Sequence, residues 1–81
     1  MAAAKVRLHE VVARALRVPA TSVSEESSPE TLRRWDSLHH LELMTEIEEA
    51  YGVQFSTGDM VRAQSVGQIR RLLRDKGLEV D

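Results

Sequence analysis

Ser37 stands where a hydroxyl can be put to use. It follows Asp36, an ordinary helix N-cap type, and precedes a run with helical apolar spacing. A hydroxyl there is exposed, and the unpaired amide N–H groups of a first helical turn favour negative charge. A phosphate ester on Ser37 is therefore stabilised by the helix it begins. Nothing nearby equips Ser37 to react unaided, so the position reads as a place of attachment for something phosphorylated. The plainer reading is that Asp36-Ser37 only caps a helix, since serines are common at helix starts.

Other residues invite other chemistries. Ser37 with Asp36, His39 and His40 suggests a hydrolase, yet the partners of a catalytic triad converge from separate parts of a fold. The chain also lacks a Gly-x-Ser-x-Gly elbow. His39, His40 and Glu42 suggest a metal, but adjacent histidines on a helix point about 100° apart. His-Glu-x-x-His spacing is absent. His9 stands alone and reads as a surface residue. The arginines near the C-terminus are few, lie in a net-acidic chain and have no aromatic interleaving, which speaks against nucleic acid. These readings exclude an enzyme, a metal site and a nucleic-acid partner.

Two further features single out the Ser37 region. Leu41, Met44, Ile47 and Tyr51 are expected on one broad buried face, with Leu43 at its edge and Leu38 on the solvent side. An exposed Leu directly after Ser37 is a grip for a modifying enzyme. From Asp36 to Tyr51 the segment holds Asp36, Glu42, Glu46, Glu48 and Glu49 and no Lys or Arg. It lacks the opposite charges that support an isolated helix by i,i+4 pairing. A one-signed face steers partners of opposite sign. Two classes of function fit: a covalent carrier, which loses all function on Ser37→Ala, and a small helical adaptor, which tolerates it.

The elements that position Ser37 are helical. Eighty-one residues without cysteine make one small domain, residues 1–81, with no disulfide or thiolate zinc site. The net charge of −2 is nearly balanced, so the acidity that matters is local. No apolar run approaches the roughly 20 residues that span a bilayer, and Met1-Ala2-Ala3-Ala4-Lys5 lacks the apolar core of a signal peptide. The expectation is a cytoplasmic protein without a membrane partner. Arg outnumbers Lys, which hints at a GC-rich bacterial genome.

The first helix is expected from about Ala3 to Arg17, burying Leu8, Val11, Val12, Ala15 and Leu16, and ended by Pro19. A long connection runs from Val18 to Trp35, tacked down by Val18, Val23 and Leu32. Ser28-Pro29-Glu30 suggests a brief helical turn within it. The second helix spans about Ser37 to Tyr51 and is closed by Gly52. Val53-Gln54-Phe55 is extended, with Val53 and Phe55 inward. Ser56 and Asp59 have capping-box spacing for a short helix through Arg62, with Met60 and Val61 as its apolar part. Ser65 and Gln68 start a last helix, about Val66 to Lys76, burying Val66, Ile69, Leu72 and Leu73. Gly77 ends it, and the remaining residues are expected to fray.

Asp36-Ser37-Leu38, then Leu41-Glu42-Leu43, then Ile47-Glu48-Glu49-Ala50-Tyr51-Gly52-Val53 resembles an acyl carrier protein, and the likeness covers nearly the whole chain. The resemblance implies an all-α antiparallel four-helix bundle with a short third helix and a long loop between helices one and two. It implies that Ser37 carries 4′-phosphopantetheine from coenzyme A, whose thiol holds acyl groups as thioesters. Asp36 and Leu38 are then its neighbours, Asp36 holding Ser37 outward and helping to position the transferase's metal. The implied partners of this monomer are a phosphopantetheinyl transferase and acyl-loading and acyl-transfer enzymes (transacylase, ligase, synthase). Leu38, Glu42, Met44, Glu46 and Glu49 are the expected contacts. Trp35 before the Asp, His39-His40 after Leu38, and Arg33-Arg34 depart from fatty-acid-synthesis carriers. They resemble instead a free-standing bacterial carrier of a polyketide or related antibiotic pathway. An aminoacyl or peptidyl cargo stays open, although Arg34-Trp35 lacks the glycine usual there.

Overall fold

The computed structural model describes residues 7–80. Among the described residues there are four α-helices: α1 (Leu8–Leu16), α2 (Ser37–Tyr51), α3 (Thr57–Arg62) and α4 (Val66–Asp75). There is no strand among the described residues, so the chain is an all-α four-helix bundle with a short third helix.

Each helix contributes one apolar stripe. Leu8, Val11, Val12 and Leu16 of α1 are wholly buried, as are Leu43, Met44 and Ile47 of α2 and Val66, Ile69 and Leu73 of α4. Trp35, Phe55, Ala63 and Val80 close the core from the connections and the tail. Burial of this apolar area, about 25 cal/mol per Å², is the main favourable contribution to folding.

Helix ends follow local chemistry. Arg7 is extended (φ −81°, ψ 132°), so α1 starts at Leu8 rather than near Ala3. The earlier expected positions, residues 3–6, lie outside the described residues. The helix also stops before Pro19 acts. Arg17 turns left-handed (φ 60°, ψ 47°), and the Val18 N–H donates to the Ala13 carbonyl. In α3, Ser56 Oγ accepts from the Asp59 N–H and Asp59 Oδ2 accepts from the Ser56 N–H, at 3.0 and 3.1 Å. This is the expected capping box. Ser65 Oγ caps α4 by accepting from the Gln68 N–H.

The long connection is tied down rather than loose. It forms a 3-10 turn at Ala20–Ser22 and a single helical turn where the Leu32 N–H reaches the Ser28 carbonyl. Its carbonyls at Ser27 and Glu25 accept the Val66 and Gly67 N–H groups. Together with Ser65, the loop thus satisfies the first-turn amides of α4, which a helix cannot satisfy itself.

Four expectations are corrected. Leu41 is 56% exposed, and Leu43 takes the core place assigned to it. At about 100° per residue Leu41 lies roughly 120° from Ile47, whereas Leu43 lies about 40° away, on the side that faces the core. Val61 is 65% exposed, so of the expected pair Met60 alone packs against the core. The tail does not fray: Gly77 turns left-handed (φ 91°), the Leu78 N–H returns to the Leu73 carbonyl, and Val80 is buried. His9 is not alone. Its Nε2 lies 2.6 Å from Glu25 Oε2, and Glu25 also receives Arg70 through Nε and Nη2 at 3.0 and 2.8 Å.

Candidate functional site

The start of α2 divides its tasks between two residues. Asp36 is the cap: its Oδ1 accepts from the His39 N–H at 2.9 Å and contacts His39 Nδ1 at 2.8 Å. The His39 backbone N–H, and next the His39 ring, hold the Asp36 carboxyl below the usual carboxylate range. Ser37 is the first helical residue, exposed to solvent. Its hydroxyl makes no hydrogen bond among the described residues. The reading of Ser37 as a mere cap therefore fails on geometry, because the capping oxygen belongs to Asp36.

Nothing next to Ser37 can activate it. His39 turns to Asp36. His40 spends both ring nitrogens elsewhere, on Trp35 Nε1 at 2.8 Å and on the Met60 carbonyl at 2.9 Å. Neither imidazole is hydrogen-bonded to the serine oxygen, so the parts of a nucleophilic triad are present without its arrangement. No group of three metal-ligating side chains occurs among the described residues.

Ser37 borders a cleft of about 520 Å³ lined by Arg33, Trp35, Asp36, His40, Ala63 and Gln64. The site thus combines an unspent hydroxyl, the positive end of a 15-residue helix and a nearby guanidinium. That donor set suits a phosphate ester.

The expected partner contacts divide. Leu38 is 65% exposed, and Glu42, Glu46 and Glu49 face solvent. Met44 is wholly buried among core residues, so its assignment as a partner contact is withdrawn. Exposed Leu41 stands one turn beyond Leu38 on the same side and takes its place in the apolar patch. Glu48 leaves the acidic face, since its Oε2 accepts from the Phe55 N–H at 2.8 Å and holds the extended segment. Across a shallow groove from Leu41 and the three glutamates lie Arg14 and Arg17 of α1, which bound the acidic surface on one side.

Fold and site define a small helical protein that presents one exposed serine hydroxyl at a helix start. Residues 6–73 match the family described as phosphopantetheine attachment site, and the chain belongs to that family. No curated protein matches it. Members of the family hold 4′-phosphopantetheine covalently, are modified by phosphopantetheinyl transferase and serve biosynthetic enzymes. They carry and do not catalyse, so this protein is a carrier and not an enzyme. No helix among the described residues is long and apolar enough to cross a membrane.

Proposed function

We propose that the Ser37 hydroxyl receives the phosphopantetheine arm and that the protein is an acyl carrier of a polyketide or related cytoplasmic pathway. One observation carries the reading: Asp36 does the capping and leaves an exposed serine oxygen without a partner at the head of α2. Asp36 keeps the helix start formed. Arg33, in the same cleft, supplies positive charge for the phosphodiester. When bound, the arm supplies a thiol that carries acyl groups as thioesters. Leu38, Leu41, Glu42, Glu46 and Glu49 form the surface on which the transferase and the acyl-handling enzymes dock. The polyketide assignment rests on the resemblance around Trp35 and Arg33-Arg34.

Intact mass spectrometry after incubation with coenzyme A and a broad-specificity phosphopantetheinyl transferase tests the proposal. The expected result is a gain of one arm on the native chain and none on Ser37→Ala of unchanged circular dichroism. A folded native chain that gains nothing, or a Ser37→Ala variant that still gains an arm, overturns it. The first of these outcomes returns the acidic helix to the role of a plain adaptor surface.

A further inference from the structure

We infer that His40 is a positioning residue, a clamp that fixes the segment leading into Ser37 against α3 in one protonation state only. The chemistry of its two partners dictates that state. An indole N–H can only donate, so His40 Nδ1 must accept from Trp35 Nε1 at 2.8 Å. A backbone carbonyl can only accept, so His40 Nε2 must carry the proton it gives to the Met60 oxygen at 2.9 Å. The imidazole is therefore neutral and bears its hydrogen on Nε2. The two rings also stack, with centroids 6.1 Å apart and planes 23° from parallel.

The clamp joins places that matter. Trp35 is 1% exposed and lies two residues before Ser37, while Met60 sits within α3. The cleft beside Ser37 is lined by Trp35 and His40 together with Ala63 and Gln64, which follow α3. A proton added to Nδ1 sets a donor against the indole donor, and the Trp35 bond is lost. The other titratable groups along this cleft are Arg33 and Asp36, and Asp36 is engaged with His39. Ala63 and Gln64, on the side of α3, do not titrate. Asp59 and Arg62, which flank Met60, pair with each other, and Asp59 also pairs with Lys76. The neutral imidazole with its hydrogen on Nε2 is the one form that serves both partners, so protonation of His40 is the event that releases Trp35.

The effect on Ser37 rests on the attachment proposed above, and the test separates the two. In Ser37→Ala, which cannot be modified, nitrogen NMR should show His40 with a bare Nδ1 and a protonated Nε2 at neutral pH. The Trp35 Nε1–H resonance should move with the same midpoint as His40 on acidification. A proton on Nδ1 at neutral pH, or a Trp35 resonance indifferent to the His40 titration, overturns the clamp whatever becomes of Ser37. His40→Asn keeps an acceptor for Trp35 and His40→Gln keeps a donor for Met60, yet neither gains a proton in mild acid. Both should therefore lose the Trp35 titration. In arm transfer to the otherwise native protein, the rate relative to His40→Asn should fall about five-fold through the His40 titration, as expected for one lost hydrogen bond. An unchanged ratio with a titrating Trp35 overturns the link from clamp to Ser37. Absence of any transfer at neutral pH condemns the attachment reading and leaves the NMR result standing.

Discussion

Met44 and Leu41 differ by three positions and by almost everything else. Met44 is wholly buried, so Met44→Ala should cost about 2–5 kcal/mol in urea unfolding. Leu41→Ala, at a site 56% exposed, should stay within about 0.5 kcal/mol and instead slow transfer from partner enzymes. A Leu41→Ala variant as unstable as Met44→Ala contradicts the placement of α2. Charge acts at the same scale. Glu42→Lys with Glu46→Lys should slow arm transfer mainly in the encounter step, and raised salt should narrow the gap to the native protein. Stopped-flow association rates over a salt series measure both; equal rates for the variant and the native protein at low salt disprove docking on this face.

At the scale of elements, the caps decide where helices begin and end. Ser56 with Asp59 and Ser65 with Gln68 are legible in the sequence because their bonds span only three residues. The stop of α1 was legible to within a residue from Pro19, but the left-handed turn at Arg17 was not, because no glycine marks it. Arg17 holds a positive φ that costs a non-glycine residue about 1–2 kcal/mol, so Arg17→Gly should stabilise the fold. Part of that gain is offset by the greater freedom of glycine in the unfolded chain, leaving about 0.5–1 kcal/mol. Thermal melting should show a rise of a few degrees, about 4–8 °C per kcal/mol for a domain of this size. A fall would mean that the Arg17 side chain stabilises more than its backbone strain costs. The inward face of α2 was only half legible. A helical repeat accepts Leu41 or Leu43 beside Met44 and Ile47, and only the packing of the assembled core chooses between them.

For the whole molecule, the contacts that bind distant segments escape any local reading. Glu25 and Arg70 stand 45 residues apart, yet Arg70 joins the long connection to α4 and, through the Val80 carbonyl at 2.7 Å, to the tail. The Arg70 guanidinium, with His9 in a lesser part, lowers the Glu25 carboxyl from 4.5 to about 2. A depressed carboxyl stabilises the fold fully above about pH 4.5, and the contribution is lost as pH falls towards 2. Since Glu25 is partly exposed, solvent screening leaves about 1 kcal/mol of it. Glu25→Gln should therefore be less stable than the native protein at pH 7 and equal to it near pH 2, as read by urea midpoints at each pH. A constant gap between the two would remove the ion pair from the account. The four helices, and the exposed serine that heads α2, could be read from the chain, because apolar period and caps are written locally. The His9–Glu25–Arg70 tie and the Trp35–His40–Met60 clamp could not, because each exists only once the helices have met.

The chain has one tryptophan, and it is packed against His40 at the approach to Ser37. The tryptophan emission of this protein, excited apart from that of Tyr51, is accordingly the private signal of that single corner. If Ser37 takes the arm as proposed, a change in that emission on priming is the expected dye-free readout of arm transfer.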